Sequence, residues 1–208
     1  MKLLLLVALA GCNSDLRAAP TKPEPAPSQV DARFVTAIRA AAKPYQTWGR
    51  VDERPNIAPM MCDMPRPEHY GSKGQVRMSE AEESPHGKKL YYLWASDRAA
   101  YRKTEVATGF TIVKESFAAV PSKRAANPPH PGRLDSPLHD TVELAGKQLT
   151  TGAAKGLYVM TKVGGEGTDD GWIYGTITTD GVVTSAGRVA TCMGCHEDAP
   201  HGRLFGLQ

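Results

Sequence analysis

The residues with the clearest chemistry are Cys192-Met193-Gly194-Cys195-His196. Two thiols three positions apart with an imidazole directly after the second form the C-x-x-C-H pattern of covalent haem attachment. The thiols add across the two vinyl groups of haem as thioethers, and the adjacent imidazole reaches the iron as proximal ligand. The expectation is one haem c held by Cys192 and Cys195, with its iron bound by His196. A thioredoxin-like dithiol fits less well in an exported chain with a histidine directly after the second cysteine. Zinc lacks a second Cys or His pair at ligand spacing, and His201 alone does not supply one.

The place of the motif narrows the chemistry further. Only Glu197 to Gln208 follows His196, and no methionine lies there. A sixth iron ligand would have to come from upstream, with Met160 and Met78 the plainest candidates; otherwise each is a packing residue. Helical-bundle cytochromes that end on this motif are disfavoured by the β-patterned sequence preceding it, so an open coordination position is expected. Of the four cysteines, Cys12 is assigned below to lipid and two to haem. That leaves Cys62, which reads as a buried thiol behaving as a small apolar residue.

Compartment follows from the start of the chain. Lys2, the apolar run Leu3 to Leu9 and then Ala10-Gly11-Cys12 have the layout of an export signal. Leu9-Ala10-Gly11-Cys12 resembles the bacterial lipobox, so residues 1–11 read as a signal peptide and Cys12 as the lipidated first residue of the mature chain. Residues 12–29, with Pro20, Pro23, Pro25 and Pro27 and no apolar period, read as an extended tether. The protein is expected on the periplasmic side of a bacterial membrane, anchored through lipid. Beyond the start of the chain no apolar run approaches the ~18 residues of a membrane span. A net charge of +3 over 208 residues gives no case for nucleic acid as a partner.

The elements that must hold the motif follow from periodicity. Val30, Phe34, Ile38 and Ala41 recur at helical spacing and Pro44 ends the pattern, predicting an amphipathic helix over 30–43. Residues 51–70, with Pro55, Pro59, Met60, Met61 and Pro65, read as irregular chain. Lys89 to Ala95 (KLYYLWA), Phe110 to Phe117 (FTIVKESF) and Leu157 to Val163 (LYVMTKV) have strand character. A short helix is expected over 96–104, with Asp97 in its first turn, and a long loop over 121–137. Trp172 to Thr178 and Val182 to Thr184 flank Asp180-Gly181, which predicts a hairpin with a type I′ turn. The expected fold class is α+β, mainly antiparallel sheet with an N-terminal amphipathic helix, in one domain over 30–208.

Four segments together resemble the cytochrome P-460 group: HGKKLYYLWASDRAAY (His86 to Tyr101), FTIVKESF, GWIYG (Gly171 to Gly175) and TCMGCH (Thr191 to His196). The resemblance spans about 86–196 and leaves the leader, tether and last residues outside. It implies a dimeric, mostly antiparallel exported cytochrome with five-coordinate haem c, proximal His196 and a distal pocket facing small nitrogen ligands. Members of the P-460 type oxidise hydroxylamine using a haem cross-linked to a lysine. Relatives called cytochromes c′-beta lack that link and bind nitric oxide or carbon monoxide in an apolar pocket.

Lys114 is the first candidate for such a lysine, since it alternates with Phe110 and Ile112, and Lys103 is the runner-up. Glu115 is the candidate proton acceptor, although strand alternation turns it away from Lys114 unless a bulge intervenes. Asp140, Asp169 and Asp170 are alternatives on loops. Trp172, Tyr174 and Phe117 could line an apolar pocket or simply form sheet core. Three functions remain open: oxidation of hydroxylamine or a similar small nitrogen species with electrons passed to a redox partner protein; binding of nitric oxide or carbon monoxide without turnover; and electron transfer with an upstream Met as sixth ligand.

Overall fold

The computed structural model describes residues 30–51, 55–58, 78, 87–102, 105–123, 141–144, 146–199 and 201–205. The signal and tether readings, lipidation of Cys12, the reading of Cys62, and the candidates Lys103 and Asp140 lie outside the described residues, as does most of the expected loop over 121–137.

Helix α1 (Ala32–Ala42) starts where the Asp31 carboxylate accepts from the Arg33 N–H, satisfying one of the donors a helix start leaves open. A 3-10 turn at Tyr45–Thr47 follows. The strands are β1 (Gly49–Arg50), β2 (Asn56–Ile57), β3 (Lys89–Ala95), β4 (Thr111–Pro121), β5 (Thr141–Leu144), β6 (Lys147–Lys162), β7 (Trp172–Ile177) and β8 (Val183–Gly187), and helix α2 (Ala190–His196) comes last. Among the described residues these strands form one antiparallel sheet in the order β1-β3-β4-β6-β7-β8, with β2 also on β3 and β5 also on β6. A mainly antiparallel sheet with two short helices is the α+β class that the patterning predicts. No helix among the described residues is long and apolar enough to cross a membrane.

Strand alternation sorts the side chains onto two faces. On one, Trp94, Val113 and Val159 lie side by side in register, and α1 covers them through a core of Ile38, Ala42, Val113, Val159, Ile173, Ile177 and Ala186. Ile38 is fully buried, which contributes about 1.5–3 kcal/mol. It seats directly on Gly175, where a Cβ would come within 2.5 Å of the Ile38 Cγ2. On the other face, Ala95, Ile112, Met160 and Tyr174 form a cross-strand row. They join Phe110, Trp172, Val189 and Leu204 in a second core, with Cys192 and Met193 packed against it.

Strand β6 is much longer than the predicted 157–163, and Gly156 is the reason it can be. At φ +109, with a hypothetical Cβ 2.5 Å from the Ile177 carbonyl oxygen, only glycine fits there. The β4–β6 register shifts next to it, between Ser116 and Phe117. Chain before this kink pairs with β5 and chain after it pairs with β7.

Two turns differ from the predicted arrangement. The β7–β8 hairpin forms, but of its turn residues Gly181 has positive φ while Asp180 does not. Thr178 and Val182 close a three-residue loop, whose last residue, Gly181, is left-handed. A turn with both centres at positive φ occurs instead at Asp170 and Gly171, with φ 51 and 85. In place of the expected helix over 96–104 there is a 3-10 turn at Ala100–Arg102, with Asp97 accepting from the Ala100 N–H at 2.9 Å.

Candidate haem-attachment site

Helix α2 carries the whole C-x-x-C-H motif on two turns. At helical spacing Cys192, Cys195 and His196 fall at i, i+3 and i+4, which gathers them on one side of the helix. Neither cysteine is in a disulfide, and both are partly exposed. Burial pushes the Cys192 thiol up to about 11, against the opposing pulls of a Thr191 hydrogen bond and the Lys114 ammonium.

His196 is held by three neighbours. Its Nδ1 lies 2.7 Å from the Arg203 carbonyl oxygen. A carbonyl can only accept, so Nδ1 carries the proton and Nε2 keeps its lone pair. Burial also holds the imidazole below its ordinary pKa, which leaves the ring neutral, the form that binds a metal. The rings of Tyr174 and Phe205 flank it at centroid distances of 5.4 and 5.2 Å.

The Arg203 carbonyl is itself anchored. Arg203 donates from its guanidinium to the Asp169 carboxylate at 2.8 Å, and Tyr174 donates its hydroxyl to the other oxygen of the same carboxylate at 2.7 Å. Asp169 is buried. Burial first, and then the Asp169 carboxylate, raises the Tyr174 phenol.

Lys114 projects from the middle of β4 onto the same sheet face as Ile112 and Met160. Leu93 and Tyr158 are its cross-strand neighbours, and its Nζ sits 4.5 Å from the Tyr91 ring centroid and 5.1 Å from that of Tyr158. The residue is half-buried overall, and the ammonium end is the part these rings enclose. Burial, followed by repulsion from Lys89, pulls Lys114 down to about 7. Lys89 donates to the Tyr158 hydroxyl at 3.3 Å and is itself lowered by burial; burial pushes Tyr158 up to about 12. Lys114 and the α2 motif are therefore brought to one face.

Glu115 is not brought there. Alternation is unbroken between 114 and 115, because the register shift comes only after Ser116. Glu115 therefore points to the α1 face, where it accepts from the Tyr45 hydroxyl at 2.9 Å and from Trp94 Nε1 at 3.0 Å. This corrects the expectation of Glu115 as proton acceptor beside the motif; it ties the turn after α1 to the sheet. Phe117 packs edge-on against Tyr92, the cross-strand neighbour of Glu115, and so lies away from the motif as well. Asp170 is exposed. Met160 is buried in the core against which Cys192 packs. Met78 is half-buried at an isolated bridge.

The residues present fit a haem c. Two thiols and a neutral imidazole with a free Nε2 share one side of α2. In the adjoining core Trp172 Nε1 is buried without an acceptor, so a group that brings an acceptor of its own would satisfy it. Among the described residues no group of three His, Cys, Asp or Glu side chains could hold a metal ion.

Sequence reasoning missed Asp169 and Arg203 as a pair and Tyr91 and Tyr158 as the surroundings of Lys114. The aromatic alternation in KLYYLWA and LYVMTKV was a usable signal for the second. The first depends on two turns meeting across 34 positions of chain, which no local pattern encodes. No protein-family model, curated protein or solved structure matches this chain.

Proposed function

We propose that this protein is an exported, lipid-anchored c-type cytochrome, with haem c attached through Cys192 and Cys195 and His196 as proximal ligand. In this reading it oxidises hydroxylamine or a similar small nitrogen species, as the resemblance to the P-460 group implies, and passes electrons to an external redox partner protein. The dimer implied by that resemblance belongs to the same proposal. The observation that carries it is the placing of Lys114 on the sheet face that receives the motif, with its ammonium enclosed by Tyr91 and Tyr158.

Bound haem would supply an iron that takes a small nitrogen ligand and a path for its electrons. The chain's own residues do the rest. His196 would hold the iron through Nε2, its ring fixed by the Arg203 carbonyl. Ile112, Met160 and Trp172, all buried, exclude water from the adjoining core, which strengthens every charge interaction there. Lys114, pulled to about 7, holds much of its population as the neutral amine near neutral pH. It is the lysine through which the P-460 resemblance implies a cross-link to the haem.

The test is product analysis with the purified haem-loaded protein, hydroxylamine and an artificial electron acceptor. Consumption of hydroxylamine to nitrogen oxides, lost in Lys114→Met, supports the reading. A tight ferrous nitrosyl complex without turnover points to gas binding. A low-spin ferric spectrum points to electron transfer with Met160, which lies buried on the same face, as sixth ligand.

A further inference from the structure

We propose that Asp169 and Arg203 form a positioning pair that sets how strongly His196 donates to a bound iron; the inference rests on the haem reading above. It starts from a turn. The His201 and Leu204 backbones exchange hydrogen bonds at 3.0 and 3.1 Å, with Gly202 at φ 55 and Arg203 at φ 74 between them. Both centres are left-handed, a conformation that glycine accepts readily and arginine does not. The strained residue is the one whose carbonyl receives the His196 Nδ1 proton.

Something must hold Arg203 there, and its side chain does so. The guanidinium reaches Asp169 at 2.8 Å, and Asp169 is immobilised twice. Its carboxylate also accepts from Tyr174 at 2.7 Å, while its backbone exchanges hydrogen bonds with Trp172 at 2.8 and 2.9 Å across the Asp170-Gly171 turn. A fixed anion thus holds a strained arginine, and the arginine's carbonyl aims at the imidazole. Neither Asp169 nor Arg203 carries the reaction; both act through His196. A firm Nδ1–H to carbonyl bond raises the donor strength of Nε2 and favours ferric over ferrous iron.

The experiment compares Asp169→Asn and Arg203→Gln in the haem-loaded full chain, reading the midpoint potential and the iron–histidine stretching band of the ferrous state by resonance Raman. The two substitutions remove charges of opposite sign. A pure field effect would move the potential in opposite directions, whereas a loosened carbonyl moves it upward in both. The expected result is a three- to tenfold loss of ferric preference in each variant, about 30–60 mV for a one-electron couple. A lowered stretching frequency in both and recovery in Arg203→Lys complete the expected pattern. Opposite shifts, or an unchanged stretching band, overturn the proposal.

Should either variant fail to fold, Tyr174→Phe removes a single hydrogen bond from Asp169. It is expected to shift the potential the same way by a smaller amount, and no shift overturns the proposal. If mass spectrometry finds no haem on the chain, the haem reading fails, and nitrogen NMR of His196 in the haem-free full chain decides the positioning claim by itself. A single Nδ1–H tautomer that becomes mixed in Asp169→Asn supports it; a mixed population in the unmodified chain overturns it.

Discussion

Replacing Lys114 by methionine should make the haem-free chain more stable, although it removes a residue that touches two aromatic rings. The lysine is pulled from its ordinary value near 10.5 to about 7, chiefly by burial. A lowered lysine pKa means that the unfolded chain binds more protons than the folded chain between those two values. Stability then rises with pH across that window, and the penalty is fully present below the lower value. At about 1.4 kcal/mol per pH unit, the ceiling on that penalty at neutral pH is about 4 kcal/mol. Lys114 is only half-buried, so solvent screening reduces this to about 2 kcal/mol. The lost attraction to Tyr91 and Tyr158 takes back about 0.5–1 kcal/mol. A net gain of about 1 kcal/mol is expected at pH 7, from urea unfolding of the haem-free full chain with an unchanged m-value. The sharper sign is the slope: from pH 7 to pH 10 the unmodified chain should gain stability relative to Lys114→Met, until the two curves meet or cross. Parallel curves, or a destabilised variant at pH 7, would refute the argument from burial.

Other substitutions test the two faces separately. Glu115→Ala strands the Tyr45 hydroxyl and Trp94 Nε1, which now donate to that carboxylate. It should cost about 1–3 kcal/mol in chemical unfolding while leaving the haem spectrum unchanged; a spectral change would place Glu115 near the iron after all. Gly156→Ala forces a Cβ against the Ile177 carbonyl at positive φ and should lower the melting temperature markedly, through a strain of about 1–3 kcal/mol. Gly175→Ala meets Ile38 and should cost about 1–3 kcal/mol by overpacking. In a double-mutant cycle with Ile38→Ala that cost should largely vanish, and strict additivity would show that the two residues do not touch.

What could be read from the sequence follows from how local each signal is. KLYYLWA is β3 to the residue, because the aromatic residues Tyr91, Tyr92 and Trp94 set among leucines and bounded by polar chain need no distant partner to declare a strand. The first half of β6 was invisible, since Lys147 to Gly156 carries little apolar alternation and is held by its neighbours β4 and β5. Asp180-Gly181 announced a hairpin correctly but not its turn type, because one loop residue more or less decides the φ of Asp180. At the site, the motif and Lys114 were legible by type and alternation. The opposed placing of Glu115 was legible too, as the alternation that put Lys114 with Ile112 put Glu115 with Val113. The Arg203 carbonyl was not, since any residue at 203 supplies a carbonyl, and only the fold decides where it points.

The central claim is tested most directly by denaturing mass spectrometry of the haem peptide, taken with ferric and dithionite-reduced optical spectra of the purified full chain. The account predicts haem bound by thioethers to Cys192 and Cys195, a high-spin ferric spectrum, and a further covalent link or a strongly displaced reduced Soret band traced to Lys114. An ordinary five-coordinate spectrum with two thioethers alone would contradict the oxidation reading and leave gas binding. A chain carrying no covalent haem would contradict the account at its root.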